Sequence, residues 1–305
     1  MRGIDMKNIT IRLIIFHLCV VTLLLAMAAV TPVYAKAPEW VSELIFPAPQ
    51  QVSAPLAMAI DSERQRYYVV DSQKGKLLSY AGDGAALADF DAAGALQHPT
   101  DMSFARPGKL WVVERERNCL LYIDMSSQQV REFSPVTSSG KHIFIGHIAC
   151  DSDHRLYVAD RFSGRIYALD DNLQVVYAFA PHSGGHFIDF KIVGKQLWAL
   201  EREQQAVYQF TLDGKQQQRI TLDRPLRFPY SIAVDKTRQL YILDRASAKI
   251  FHFTTAGKYV AQFGQKGSRR GQLNYAAQLM FDWQQRLCVV NQGNDLIEVF
   301  SQQHQ

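Results

Sequence analysis

Cysteine is too scarce in this chain to build a disulfide framework: the 305 residues contain four, none in CxxC spacing. Cys19 falls in an apolar N-terminal run with no small-residue lipobox after it, which leaves the odd set Cys119, Cys150 and Cys288. Cys150 and Cys288 lie in apolar strand patterns and read as small buried hydrophobes. No glycine-rich phosphate loop opens a helix and no nucleophile elbow occurs, so nucleotide and serine-hydrolase chemistry have no foothold. An excess of charge of one sign is missing too. Beyond residue 35, 30 basic groups face 28 acidic ones, a near-neutral balance without the footprint of a nucleic-acid binder.

After the N-terminus there is no second long apolar run, so nothing else in the chain is expected to enter a membrane. The first run itself has the layout of a targeting segment. Arg2, Lys7 and Arg12 precede apolar residues 13–30, and Val33-Tyr34-Ala35 offers a small-x-small cleavage site. Residues 1–35 are therefore expected to be a signal peptide, with an uncleaved N-terminal anchor as the alternative. Either way residues 36–305 are expected outside the cytoplasm, periplasmic or secreted.

What the chain does have is a phrase repeated six times, aromatic or leucine, then aliphatics, then an acid. The copies are Tyr67 to Asp71, Leu110 to Glu114, Leu156 to Asp160, Leu197 to Glu201, Leu240 to Asp244 and Leu287 to Asn291. Their closing residues are 43, 46, 41, 43 and 47 positions apart, the period of one four-stranded propeller blade. Each copy is preceded by an apolar strand and a turn, and followed by a polar loop and further alternating strands. The pattern predicts an all-β, six-bladed propeller of four-stranded antiparallel blades. After Phe300 too little chain remains for an outer strand in blade six. Trp40 to Phe46, which has no blade of its own, is expected to supply that strand and close the ring.

Pro229-Tyr230-Ser231-Ile232-Ala233-Val234-Asp235 with Leu240 to Asp244, and the linker from Phe263 to Asn274, resemble the blade body and linker of NHL repeats. The resemblance extends over Pro55 to Phe300, most clearly in blades five and six. It implies an NHL-type propeller acting as an interaction or ligand-binding platform. Blade six departs from the family pattern with Ala276-Ala277 in place of proline and Asn291 in place of the acid. In this frame Cys119 and Cys150 fall in neighbouring blades and are the one candidate disulfide.

Aligning the blades on their anchors places Ala57, Asp101, His147, Asp189, Ser231 and Gln278 at one level of the central channel, with Lys191 one step further along. Buried charge is costly unless it is paired or metal-bound. These side chains are expected either to form a hydrated hydrogen-bonded plug or to bind something. Asp101, His147 and Asp189 could ligate a divalent metal such as calcium or zinc. His98 and His186, just before their inner strands, could add imidazoles at the same mouth.

A second feature follows the anchors: Arg115, Arg161, Arg202 and Arg245 each come directly after a closing acid, in loops on one face. The acids are expected to accept loop N–H groups. The arginines are expected either to pair with acids of adjacent blades or to receive a partner: a protein, a peptide or a small anionic ligand. Two functions compete on these residues. One is a binding scaffold that uses the arginine-rimmed face and the polar channel. The other is a metal-dependent enzyme, lyase or lactonase-like hydrolase, with its metal in the channel. Blade one speaks against the lactonase, because Leu56 to Ile60 offers no acid.

Overall fold

The computed structural model describes residues 39–46, 52–181 and 184–303. The expected signal peptide lies outside the described residues. Six four-stranded antiparallel sheets follow one another round a ring. Their inner strands are Pro55–Asp61, Pro99–Arg106, Ile145–Cys150, Phe187–Val193, Pro229–Val234 and Gln278–Phe281. The repeated phrase is the second strand of every blade and is almost entirely buried, because each blade is covered on both faces.

Alternation along these strands sends successive side chains to opposite neighbours. Tyr67 and Val69 pack toward blade six with Cys288, Val290 and Ile297, while Tyr68 and Val70 pack toward blade two with Met102, Leu110 and Val112. The hydrophobic core is thus six apolar layers, one between each pair of adjacent blades.

Closure occurs as the sequence predicts. Glu39–Phe46 pairs antiparallel with Leu296–Gln303 as the outermost strand of blade six, Trp40 opposite Gln302 and Phe46 opposite Ile297. The two ends of this strand hold different blades. Trp40 stacks on Phe263, with ring centroids 5.2 Å apart, and meets Tyr241 edge-on at 5.4 Å. Phe46 packs against Tyr67 and Tyr80 of blade one at 4.8 and 5.0 Å. Between them Glu43 accepts from Arg286 at 3.1 Å.

The candidate disulfide is not formed: Cys119, Cys150 and Cys288 are all free. Cys119 packs in the apolar layer between blades one and two, whereas Cys150 ends the inner strand of blade three. Adjacent blades alone do not bring two side chains together. One cysteine belongs to a third strand and the other to a first strand, on different sides of blade two.

Phe46 is 1 % exposed and belongs to the layer that seals the ring. Phe46→Ala should lower unfolding free energy by about 3–5 kcal/mol. Leu87→Ala, on an outer strand where the side chain is 47 % exposed, should have almost no effect. Denaturant titration of both variants checks the contrast, and equal midpoints would remove the closing role from Phe46.

Candidate functional site

Six inner strands wrapped round one axis each leave an edge without a further strand to pair with. At one level that edge presents six equivalent backbone N–H groups, those of Met58, Met102, Ile148, Phe190, Ile232 and Leu279. Each is the residue after an aligned channel position, and each donates to a side chain from that aligned set. Asp101 accepts from Met102 through Oδ1 and from Ile148 of the next blade through Oδ2, both at 2.9 Å. Asp189 repeats this with Phe190 and Ile232 at 2.8 and 2.9 Å. Gln278 Oε1 takes the Met58 N–H at 2.8 Å, and Ser231 Oγ takes that of Leu279 at 3.0 Å. Carboxylates in blades two and four serve two donors each, which leaves Ala57 and His147 free of the task.

Asp101, Asp189, Ser231 and Gln278 are 6 % exposed or less and close the channel at this level. The remaining valences of the carboxylates point to side chains. Ser231 Oγ donates to Asp189 at 2.6 Å, and Lys191 Nζ donates to both oxygens of Asp189 at 2.7 and 2.8 Å. His147 Nδ1 lies 3.2 Å from Asp101 Oδ2, and since a carboxylate only accepts, this nitrogen carries the proton. Burial works against charge on His147, yet the hydrogen bond to Asp101 and its charge prevail, with help from Asp189, and hold the imidazole pKa above its ordinary value. For Asp189 burial again opposes charge, and the Lys191 and His147 charges outweigh it, leaving the carboxyl below the usual range.

The channel residues predicted from the alignment therefore do meet. The three histidines do not. His98 sits on the surface with its Nδ1 3.1 Å from Glu116, and His186 lies against Gly164, so close that a Cβ there would stand 2.6 Å from the His186 Cα. Among the described residues no three His, Cys, Asp or Glu side chains converge in a way that could hold a metal ion.

On the loop face the closing acids behave as expected. Asp71 accepts from Ser53 N, Glu114 from Gln97 and His98, Asp160 from Phe144, and Asp244 from Arg227. Each ties down the segment that enters its own blade. Asn291 does the same for Asn274 N at 2.8 Å, which explains why an amide can replace the acid there. Glu201 instead caps its own turn, at Glu203 and Gln204.

The arginines do not pair with acids of adjacent blades. Arg202 lies 4.2 Å above the Phe228 ring and donates to the Pro229 carbonyl at 3.2 Å. Arg245 lies 4.4 Å from the Tyr230 ring and 5.4 Å from Tyr275, and donates to Gln292 Oε1 at 2.8 Å. Arg115 and Arg161 are exposed. Sequence reasoning missed the aromatics of this face, Phe144, Phe162, Phe228 and Tyr275, which are 38 to 78 % exposed. Their signal was present: each lies in a loop on the arginine side, where packing has no use for it.

No protein-family model and no curated protein matches the chain. Solved structures do. The ring is shaped like that of virginiamycin B lyase. The Staphylococcus aureus enzyme superposes with a TM-score of 0.63 at 11 % identity, over 86 % of this chain and 99 % of that one. A streptogramin B lyase structure gives 0.63 at 12 % identity, over 87 % and 98 %. Kuenenia stuttgartiensis hydrazine synthase gives 0.56 at 12 %, over 83 % and 98 %. At such identities the likeness is one of fold.

Asp189→Ala would strand two N–H groups and a Lys191 that is only 14 % exposed, so a loss of about 3–5 kcal/mol is expected. The carboxyl of Asp189 is depressed in the folded state, so its stabilisation is present at neutral pH and is lost as pH falls below the ordinary aspartate range. Chemical denaturation across that acid range should show a shallower loss of stability for Asp189→Asn than for the natural protein. Parallel curves would contradict the assignment.

Proposed function

We propose that the protein is an exported NHL-type binding propeller whose arginine and aromatic face receives an acidic segment of a partner protein or peptide. One observation carries this: Arg202 stacks on Phe228 of the linker into blade five, Arg245 stacks on Tyr230 of its own blade and lies near Tyr275 of the linker into blade six, and neither is paired with an acid. The guanidiniums spend some in-plane donors on the protein, Arg202 Nε on the Pro229 carbonyl and Arg245 Nη2 on the Tyr275 carbonyl and Gln292 Oε1, and offer the remaining Nη donors to an incoming carboxylate with little side-chain freedom lost on binding. Phe144 and Phe162, 5.7 Å apart, give the same face a second apolar foothold beside Arg161. Arginine and exposed aromatics together are the residue types that dominate binding energy at interfaces. The closing acids are engaged with backbone N–H groups and form no ion pair with the arginines that follow them. The sequence features of residues 1–35 support export.

A metal-dependent channel enzyme has less to stand on. Structures of the same shape include lyases, but every oxygen of Asp101 and Asp189 already accepts from two or more donors, which leaves little for a cation.

Selection from a random displayed-peptide library against the purified protein should enrich sequences with clustered Asp and Glu beside apolar residues. Binding of the selected peptides should fall at least about tenfold in Arg202→Ala with Arg245→Ala, and also in Phe162→Ala, without change in thermal stability. Selected peptides lacking acidic residues, or bound equally by the variants, would overturn the proposal.

A further inference from the structure

Beyond the sealed level, toward the ends of the inner strands and away from the arginine loops, the channel widens into a cavity of about 210 Å³. Its origin is in the sequence. Two positions past the aligned set stand Ala59, Ser103 and Ala149, whose side chains are too small to fill the axis. Lys191, at the same step, folds back onto Asp189. The walls are Ile60, Phe104, Ile192 and Met280, and the floor is His147 and Lys191 backed by their carboxylates.

With His147 protonated, this floor has donors to give and no acceptors. Asp101 and Asp189 are saturated by the N–H ring and by their side-chain partners. Lys191 uses two of its hydrogens on Asp189, and a third is free. His147 uses Nδ1 on Asp101, and its Nε2 has no protein partner, although 31 % of the side chain is exposed. With Nδ1 committed as a donor, Nε2 becomes a donor only in the imidazolium. A cation would find at most the single lone pair of a neutral His147, with no carboxylate oxygen free to join it and Lys191 beside it. A phosphate would find two convergent donors and apolar walls where its other oxygens need partners.

We propose that this cavity binds a small monocarboxylate with a short apolar tail, its carboxylate on His147 Nε2 and Lys191 Nζ and its tail against Phe104, Ile192 and Met280. The volume lies below that of drug-sized pockets, which limits the tail to a few carbons. The site is separate from the arginine face and does not rest on its function. Binding is coupled to a proton. The charged groups facing His147 are Asp101 from blade two and Asp189 and Lys191 from blade four, while Cys150 stays a neutral thiol, pushed up to about 12 by burial. Protonated, the floor is neutral as a whole and presents two charged donors. With His147 neutral, the floor carries one net negative charge and Nε2 turns a lone pair to the ligand. Affinity therefore rises as pH falls through the His147 transition.

Calorimetry with sodium butyrate on the purified protein, at about pH 6 and about pH 8.5 to bracket histidine titration, tests this together with the His147 imidazole resonance in NMR. Butyrate should bind at the lower pH, weaken about tenfold or more at the higher, and raise the His147 titration midpoint. Lys191→Met should weaken binding about tenfold or more, and His147→Gln should abolish its pH dependence. Because Lys191→Met also removes a partner of Asp189, the resonance shift in the unaltered protein stands as the independent measure. Butylammonium binding as well as butyrate, or butyrate producing neither heat nor a His147 shift, would overturn the proposal.

Discussion

Everything near the axis of this propeller depends on giving acceptors to six inward-facing N–H groups. Inner strands have no further strand to pair with, and at the sealed level they are too close together for bulk water to serve. A buried N–H without an acceptor costs about 1–3 kcal/mol, so six would consume a large part of the stability of a typical domain. Two aspartates, a glutamine and a serine answer this, each linking one blade to the next. Carboxylates suit the role because one group can accept from two blades at once. They also bring negative charge to the axis, and that charge explains the remaining residues: Lys191 lies on Asp189 and His147 on Asp101. The polar channel is thus a consequence of backbone geometry.

The same logic separates the two ends of the molecule. On the loop face, the acids that close the anchors of blades one, two, three and five are drawn into the segment entering their own blade, and that of blade four into its own turn. This fixes the loops and leaves the arginines that follow without acidic partners. Rings hold two of them instead, Phe228 of the next linker for Arg202, and Tyr230 of its own blade with Tyr275 of the next linker for Arg245. The fold uses the acid half of the Glu-Arg and Asp-Arg pairs and leaves the arginine half without an ion-pair role in the loops. An Asn in blade six can therefore replace the acid without loss of the loop, and the glutamine after it can accept from Arg245.

Much of this was legible in the sequence because the propeller repeats. The anchor phrase places all six second strands, and the alignment it provides picks out Asp101, His147, Asp189, Lys191, Ser231 and Gln278 from 305 residues before any coordinate is known. The missing outer strand of blade six follows from counting, and Trp40 to Phe46 fills it. Period, however, reports position along the axis and says nothing of direction around it. Hence the alignment could not distinguish carboxylates that ligate from carboxylates that accept backbone N–H groups of the following blade. Nor could it show that His98 and His186 turn outward, or that Cys119 and Cys150 lie in different layers. The aromatic partners of the arginines left only the signal of unexplained rings in loops for a related reason: Phe228 and Tyr275 sit in linkers, where the repeat has no register to compare.

A cavity at the far mouth also follows from the ring rather than standing apart from it. Once the carboxylates are turned to the backbone, the charge they carry must be balanced from the open side, and Lys191 and His147 approach from that side. Small residues at the next step, Ala59, Ser103 and Ala149, keep the axis open above them. An assembly built only to plug the channel would fill that step with aliphatic side chains, which would shield the ion pairs and bury more apolar surface. Leaving it hollow keeps one hydrogen of Lys191 and one nitrogen of His147 without a protein partner inside a pocket walled by Phe104, Ile192 and Met280. Polar atoms in that position are stabilised by water or by a ligand. A carboxylate there has an advantage over water, because it meets two charged donors with one group while its tail covers the walls.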